Sequence, residues 1–539
     1  MAVGTYQGAG TVQSRRIGAG AMAVRTGEFF TNRFTFVAAA IGMAVGTGNL
    51  WRFPRVIGEW GGGVFLIALI VANLLWAIPV LMSESILGSR TRLGTVGAFR
   101  DFMGRRYTWI GGVVGFIGMG VAFYYSVVTG WALRYFIYSL TGTFTKGTDT
   151  EAVWENFVSD PFQTILFHAI AVVLVGFVVY RGLKNGFEKL LNVVIPALFV
   201  ILVILTIRAL TLPGAIDGLS YMFVPDWSQL GDGEMWREAF TQMAFSTGAG
   251  WALYLTYSVY VDKKEDTSLN ASVVVAGNLF ASLLAGMAIM GTVFALRGSD
   301  FASTAAAAGD QGFAFVYFAE LLGQMPGGII FGPLFFLALF LAGASSLIAM
   351  IELGTRNVID MGVRRKRAVP AVVIAIFICG IPSALSLSFF TNQDNVWGIG
   401  LLISGLGVAM AMWKFGVRRV SAIIESVADL HFGRAWIFCI RIFPLLFIGL
   451  FGWFIFDSVT GTTEWWNPFQ EFSLATVVLQ WGLLIVIMLL LNRFLANKVV
   501  PGPMTEGAEV DADDGPAGDR ADARRPNENG PEDTREGEE

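Results

Sequence analysis

Twelve stretches of this chain stay apolar for about 20 residues or more, the length that crosses a bilayer, and nothing else limits its fold so severely. They lie near residues 34–58, 63–87, 108–140, 161–180, 187–207, 235–261, 268–295, 327–359, 369–387, 396–415, 436–456 and 474–495. Inside lipid every backbone N–H and C=O has to be satisfied within the protein, so a run of this kind is a helix. The pattern predicts an all-α, polytopic membrane protein with about 12 transmembrane helices. A composition that is 55% hydrophobic and 14% charged agrees.

The basic residues set the expected orientation. Segment 88–107 carries Arg90, Arg92, Arg100, Arg105 and Arg106, and 361–368 carries Arg364, Arg365, Lys366 and Arg367. Lys414, Arg418, Arg419 and Arg434 lie in 414–434, whereas the alternate loops 141–160, 208–234 and 296–326 are poor in bases. Both termini are therefore expected in the cytoplasm of a multi-pass cell-membrane protein. The net charge of −4 comes from the end of the chain, where thirteen acids meet four arginines after Pro501. Residues 499–539 read as a disordered acidic tail and 1–33 as a polar N-terminal tail. Ser14-Arg15-Arg16 faintly resembles an export signal, but Arg25 interrupts the apolar part. Cys379, Cys439, His168 and His431 are too scattered for a metal centre, and nothing suggests a nucleic-acid partner.

The first span contradicts its own setting. From Ile41 to Pro54 it holds Gly42, Gly46 and Gly48 within seven residues, then Asn49 and Arg52. Glycine costs about 1 kcal/mol in a helix interior, and arginine at mid-membrane costs about 2.5 to 3.5 kcal/mol or more. The helix is expected to break here and free its carbonyls. The sixth span repeats the anomaly between Gln242 and Trp251, with Ser246, Gly248 and Gly250. The two anomalous spans are five apart, so they cross in opposite directions. Residues 34–207 and 208–415 then form a 5+5 inverted repeat with broken helices 1 and 6 and a midplane site. Residues 298–326 would be an outer segment with a capping helix near 313–322, and 416–498 would add two helices. Glycine-mediated packing is the plain alternative, but it leaves Asn49, Arg52, Ser246 and Asn278 unexplained.

A dehydrated Na⁺ in lipid needs oxygen ligands from protein or solute. The carbonyls of Gly42, Ala44 and Val45, the side chains of Asn49, Ser246 and Asn278, and the Ser345-Ser346 pair after Ala342-Gly343 are candidates. Neutral ligands suit a monovalent ion that has to leave again, where clustered carboxylates would suggest Ca²⁺. The half-helix N-termini point positive dipole ends inward, and with the donors of Gly46 to Gly48 they suit a carboxylate.

Ala-Val-Gly-Thr-Gly-Asn-Leu-Trp-Arg-Phe-Pro at 44–54, Tyr124-Tyr125, Phe245-Ser246 and Ala342-Gly-Ala-Ser-Ser346 resemble the neurotransmitter:sodium symporter family, on its prokaryotic branch, over roughly residues 28 to 495. The resemblance implies two Na⁺ sites. The first would use Ala44, Asn49, Ser246, Asn278 and the solute's carboxylate; the second would use Gly42, Val45, Ala342, Ser345 and Ser346. It further implies that Tyr125 holds the carboxylate beside Ala44, Thr47 and Gly48, and that Phe245 lids the pocket. Val121, Ser246, Gly248, Trp251, Ser346 and Met350 would complete its wall. Gly46 stands where amine-carrying relatives have Asp, which favours a solute with its own carboxylate. A sodium-coupled symporter of a neutral, hydrophobic amino acid follows, with an osmolyte such as betaine or taurine as the alternative.

The family's outer gate would pair Arg52 with an acid at the start of the tenth span, where Asn395 and its neighbour Asp394 compete. Asp360 and Tyr260 match the inner gate, with Arg25 slightly early for its partner and Phe30 replacing a tryptophan. Chloride-dependent relatives carry a serine where Ser282 stands, so Gln242, Ser246, Asn278 and Ser282 form a possible chloride site, although the expected tyrosine is Leu69. Bland readings exist for each: a packed core tyrosine for Tyr125, a snorkelling arginine for Arg52, and helix back-bonding for Ser345 and Ser346. Glu84 is expected to satisfy donors near the first-span break. A channel would show repeated polar pore faces, and an enzyme would show a nucleophile–base pair. Neither pattern is present in the sequence.

Overall fold

The computed structural model describes residues 28–504. The expected tails at 1–27, including Arg25 and the twin arginines, and beyond 504 lie outside the described residues. Among the described residues ten helices are long and apolar enough to cross a membrane. An eleventh span is bent: α1 (Arg33–Ala44) meets α2 (Thr47–Leu50) and α3 (Arg52–Trp60) at 64°.

The remaining spans follow in order. They include α4 (Gly63–Thr91), α5 (Thr95–Met103) on a connecting loop, α6 (Thr108–Leu140), α7 (Thr150–Val158) on the next loop, α8 (Pro161–Tyr180) and α9 (Glu188–Leu210). After α10 (Ala215–Phe223), the sixth expected span is split into α11 (Gly233–Thr247) and α12 (Leu253–Ser258), each too short to cross alone. Then come α13 (Thr267–Leu296), α14 (Ser299–Ala307), α15 (Phe318–Gln324), α16 (Gly328–Asp360), α17 (Arg365–Leu385) and α18 (Leu387–Phe415). The chain continues with α19 (Val417–Glu425), α20 (Gly433–Gly461) and α21 (Leu474–Lys498).

Side-chain caps start many of these helices. Asn32 Oδ1 accepts from the Thr35 N–H at 2.9 Å, and Asp232, Asp266 and Ser473 cap α11, α13 and α21 in the same way. The most extensive helix pair is α6 against α16, at the centre of the bundle. The periphery is apolar and exposed, as on α9 (Val193, Ile207), α20 (Leu445, Ile448) and α21 (Leu483, Leu490). That surface suits a hydrocarbon solvent.

Two expectations need correcting. The outer segment is helical from Ser299 to Ala307 and again from Gly309 to Gln324, not only near 313–322. Its alanines explain this: Ala302, Ala305 and Ala306 are buried, and Gly58 of α3 approaches so closely that a Cβ there would lie 3.2 Å from the Ala302 carbonyl. The tenth span begins at Leu387, where Ser386 caps it, well before residue 396. Asp394 and Asn395 are therefore inside a helix, not at its start.

Candidate functional site

At the first break the helical ladder can be followed bond by bond. The Val45 N–H still reaches Ile41 O at 2.7 Å. The Gly46 N–H, which would have closed on Gly42 O, donates instead to Asn49 Oδ1 at 2.9 Å. The Thr47 N–H, which would have closed on Met43 O, donates to the Tyr125 hydroxyl at 3.0 Å. The Asn49 N–H turns to Gly46 O at 3.2 Å and so leaves Val45 O. Three carbonyls, Gly42, Met43 and Val45, thereby lose their helical donors. Ser346 Oγ donates to Met43 O at 3.0 Å, and Ser345 Oγ donates to Ala342 O at 2.9 Å while lying 3.5 Å from Val45 O. The hydroxyls of α16 thus face the broken end of α1, which is more than back-bonding alone would give.

Beside them Asn49 is a hub. Its amide nitrogen donates to Ser282 Oγ at 2.8 Å, Ser246 Oγ at 3.1 Å and Asn278 Oδ1 at 2.9 Å. Asn278 Oδ1 in turn faces two carbonyl oxygens, Ala44 O at 3.1 Å and Ser246 O at 3.0 Å, with no proton between them. Turning the amide would give those carbonyls a donor but set its nitrogen 2.9 Å from the Asn49 nitrogen. Neither orientation satisfies every atom, whereas a monovalent cation among the oxygens would. The oxygens of Ala44, Ser246 and Asn278 therefore fit Na⁺, whereas Asn49, expected as a ligand, turns its amide nitrogen toward them because its Oδ1 is held by the Gly46 N–H. Gln242 and Ser282, expected near a chloride, lie on the same cluster; Gln242 Nε2 reaches Gly48 O at 3.3 Å.

The sixth break is built differently. Gly248, Gly250 and Ala252 have φ of +70, +98 and +60. The freed N–H groups of Gly250, Ala252 and Leu255 donate to the buried Glu84 carboxylate at 2.8, 3.3 and 3.1 Å. Glu84 was expected at the first break; it belongs to the sixth, because α4 packs along α12.

Between the breaks lies a cavity lined by Ala44, Gly46, Thr47, Gly48, Tyr125, Phe245, Gly248, Trp251 and Ser346. A Cβ on Gly46 would fall 2.6 Å from the Tyr125 hydroxyl and 2.9 Å from Ser346 Oγ. Val121, Met350 and Ser246, expected on the wall, are buried but do not line it. Val121 and Met350 sit one helical turn from Tyr125 and Ser346, on the α5 side, while Met43, Val128 and Leu253 take lining positions instead.

At the mouth, Arg52 lies 5.1 Å above the Phe245 ring. Among the described residues its carboxylate partners are Glu238 at 3.1 Å and Asp310 at 3.6 Å. The expected pairing with Asp394 or Asn395 is not made. Asp394 lines the cavity, and the Asn395 amide nitrogen is buried without a partner away from it. At the opposite end Asp360 pairs with Arg356 at 2.9 Å and accepts from the Gly94 N–H at 2.6 Å. Tyr260 donates to Glu352, which Arg365 also holds at 2.9 Å, and Phe30 packs edge-on against Tyr260. Sequence reasoning missed Glu238, Asp310, Glu352, Arg356 and Arg365. The available signal was charge inside an apolar run, which marks function by default; Glu238 and Glu352 both lie in expected spans.

The family model described as "Sodium:neurotransmitter symporter family" matches residues 27–163 and 158–501. An uncharacterized sodium-dependent transporter of Methanocaldococcus jannaschii is 32% identical over 431 residues, 76% of this chain and 86% of that protein. The sodium-dependent neutral amino acid transporter B(0)AT3 of Mus musculus is 26% identical over 575 residues, 87% of this chain and 92% of its own length. Among solved structures, MhsT in complex with L-phenylalanine superposes with a TM-score of 0.71 at 29% identity, covering 79% of this chain and 99% of MhsT.

Proposed function

The chain belongs to the sodium:neurotransmitter symporter family, and from that premise we propose that it takes up a neutral, hydrophobic amino acid together with sodium by alternating access. It is a sodium-dependent, multi-pass membrane transporter, not an enzyme. The observation that carries the finer reading is the convergence of the Ala44, Ser246 and Asn278 oxygens beside Asn49. A solute carboxylate next to Thr47 and Tyr125 would complete that set, so solute and ion would each stabilise the other. Gly46 puts no acid between Tyr125 and Ser346 to receive an amine lacking a carboxylate; the carboxylates that line the cavity, Asp310 and Asp394, come from other elements. Trp251, Phe245 and Val128 give an apolar wall, and MhsT holds L-phenylalanine in its own structure.

A second Na⁺ would lie against Gly42, Val45, Ala342, Ser345 and Ser346, joining α1 to α16. Its departure would release α1 from the bundle centre. Orientation follows the basic loops, with both termini cytoplasmic. One Na⁺ falling through 100 mV gains about 2.3 kcal/mol, and a tenfold gradient adds about 1.4 kcal/mol. Two ions can thus sustain accumulation well above a thousandfold in principle.

Proteoliposome uptake of labelled L-phenylalanine, L-leucine, betaine and taurine under an inward Na⁺ gradient tests this. The expected result is saturable, Na⁺-dependent uptake of an amino acid that Asn49→Ala abolishes. Uptake of betaine or taurine alone would replace the solute assignment.

A further inference from the structure

We propose that Asp310 is a gating residue: carried into the cavity mouth by the segment between α13 and α16, its carboxylate holds Arg52 and Arg55 over the Phe245 lid and has to release them before a solute can enter. The proposal rests on the alternating-access reading given above.

Asp310 sits on the first turn, Gly309–Gln311, of the helical stretch that runs on to Gln324, entered through Gly309 at φ +73, a conformation that lets the chain turn abruptly inward. Its carboxylate lies 3.6 Å from Arg52 and is hydrogen-bonded to Arg55 Nε. The three side chains are 10–14% exposed. Glu238 of α11 completes the clamp on Arg52 from the other side at 3.1 Å. Arg55 is further fixed to Glu59 at 2.6 Å.

Asp310 also lines the cavity in its own right. Asp394 lines it too, yet within 4.0 Å the carboxylates on Arg52 are Asp310 and Glu238. The charge that pins the lid arginine therefore comes from the outer segment and α11, not from α18. Without the Asp310 charge Arg52 would keep Glu238 alone, and Arg55 would keep Glu59 and, at 4.0 Å, Glu238, so that each loses the one carboxylate that ties it to the outer segment. Neutralising Asp310 should consequently loosen Arg52 and Arg55 and favour the open mouth.

The test needs no knowledge of the solute, so its failure is distinct from a failure of the amino-acid assignment. Val128, buried on the cavity wall, is replaced by cysteine in a background with Cys379→Ser and Cys439→Ser. Its reaction with a charged methanethiosulfonate reagent is then timed in lipid nanodiscs. Asp310→Asn is expected to speed labelling about tenfold, the change that one lost interaction of ordinary strength gives. Asp310→Glu, which keeps the charge, should stay within about twofold of the parent. Arg55→Gln should accelerate labelling like Asp310→Asn, and the double variant should be no faster than the faster single, because the two act through one contact. Labelling of a folded Asp310→Asn at the parent rate, or fully multiplicative effects in the double variant, would overturn the proposal. If Asp310→Asn does not fold, an Arg55→Gln protein that labels at the parent rate overturns it equally.

Discussion

The two helix breaks hold themselves open by different means. At the first, no residue adopts a left-handed conformation: Val45 is at φ −74 and Gly46 at φ −118. At the sixth, Gly248, Gly250 and Ala252 all have positive φ. The donors freed at the first break close on neutral groups, Asn49 Oδ1 and the Tyr125 hydroxyl. Those freed at the sixth close on a single buried carboxylate, Glu84. Gly46 is a glycine for want of space beside Tyr125 and Ser346, whereas Gly248, with nothing nearer than 3.6 Å to its missing Cβ, is one for its φ. The sixth break is thus a fixed elbow secured by one buried acidic side chain. On the function proposed above, the first is the place where protein hydrogen bonds and mobile ligands substitute for one another.

The contrast is most exposed at Glu84. Glu84→Leu leaves three buried N–H groups without an acceptor and should cost about 3 kcal/mol or more of stability, with Glu84→Gln in between. Thermal unfolding in detergent reads this, and a loss no larger than that of Asn49→Ala would erase the distinction. Gly46→Ala comes next and should act on binding. A methyl there displaces the Tyr125 and Ser346 hydroxyls, so solute affinity should fall about ten- to a hundredfold, and the overpacking should also lower the ligand-free stability by about 1–3 kcal/mol. Gly248→Ala should differ in leaving affinity little changed, while costing about 1–2 kcal/mol of stability for left-handed backbone. If the two glycine variants behave alike, the assignment of space to one and conformation to the other is wrong. Ser282→Ala is the smallest: it removes one of several acceptors around Asn49 and should shift affinity by less than about tenfold. Its measurement in chloride and in gluconate media also tests the proposed anion role, which uptake unchanged by gluconate would reject.

The spans were readable from sequence because lipid leaves a helix no option but an apolar run, and the first break because glycines and Asn49 are foreign to one. What escaped was partnership across the chain. Asp310 meets Arg55 across 255 residues and Glu238 meets Arg52 across 186, and neither spacing leaves a local mark. The start of α18 is hidden in the sequence because residues 391–395 are polar. They are helical all the same, since Asn392 and Gln393 bond to Thr476 and Gln480 of α21 at 3.3 and 3.2 Å. Val121 and Met350 share a helix face with the true lining residues. Periodicity identifies a face but cannot say which turn of it borders a void.

The central claim is that the oxygens of Ala44, Ser246 and Asn278, gathered around Asn49, take a sodium ion and a solute carboxylate as one unit. Scintillation-proximity binding of labelled L-phenylalanine and a panel of other amino acids to the purified protein, in Na⁺ and then in K⁺ at equal ionic strength, addresses it directly. The account predicts saturable binding of at least one amino acid in Na⁺ that disappears in K⁺ and in Asn49→Ala. Binding of the same strength in both salts would contradict it.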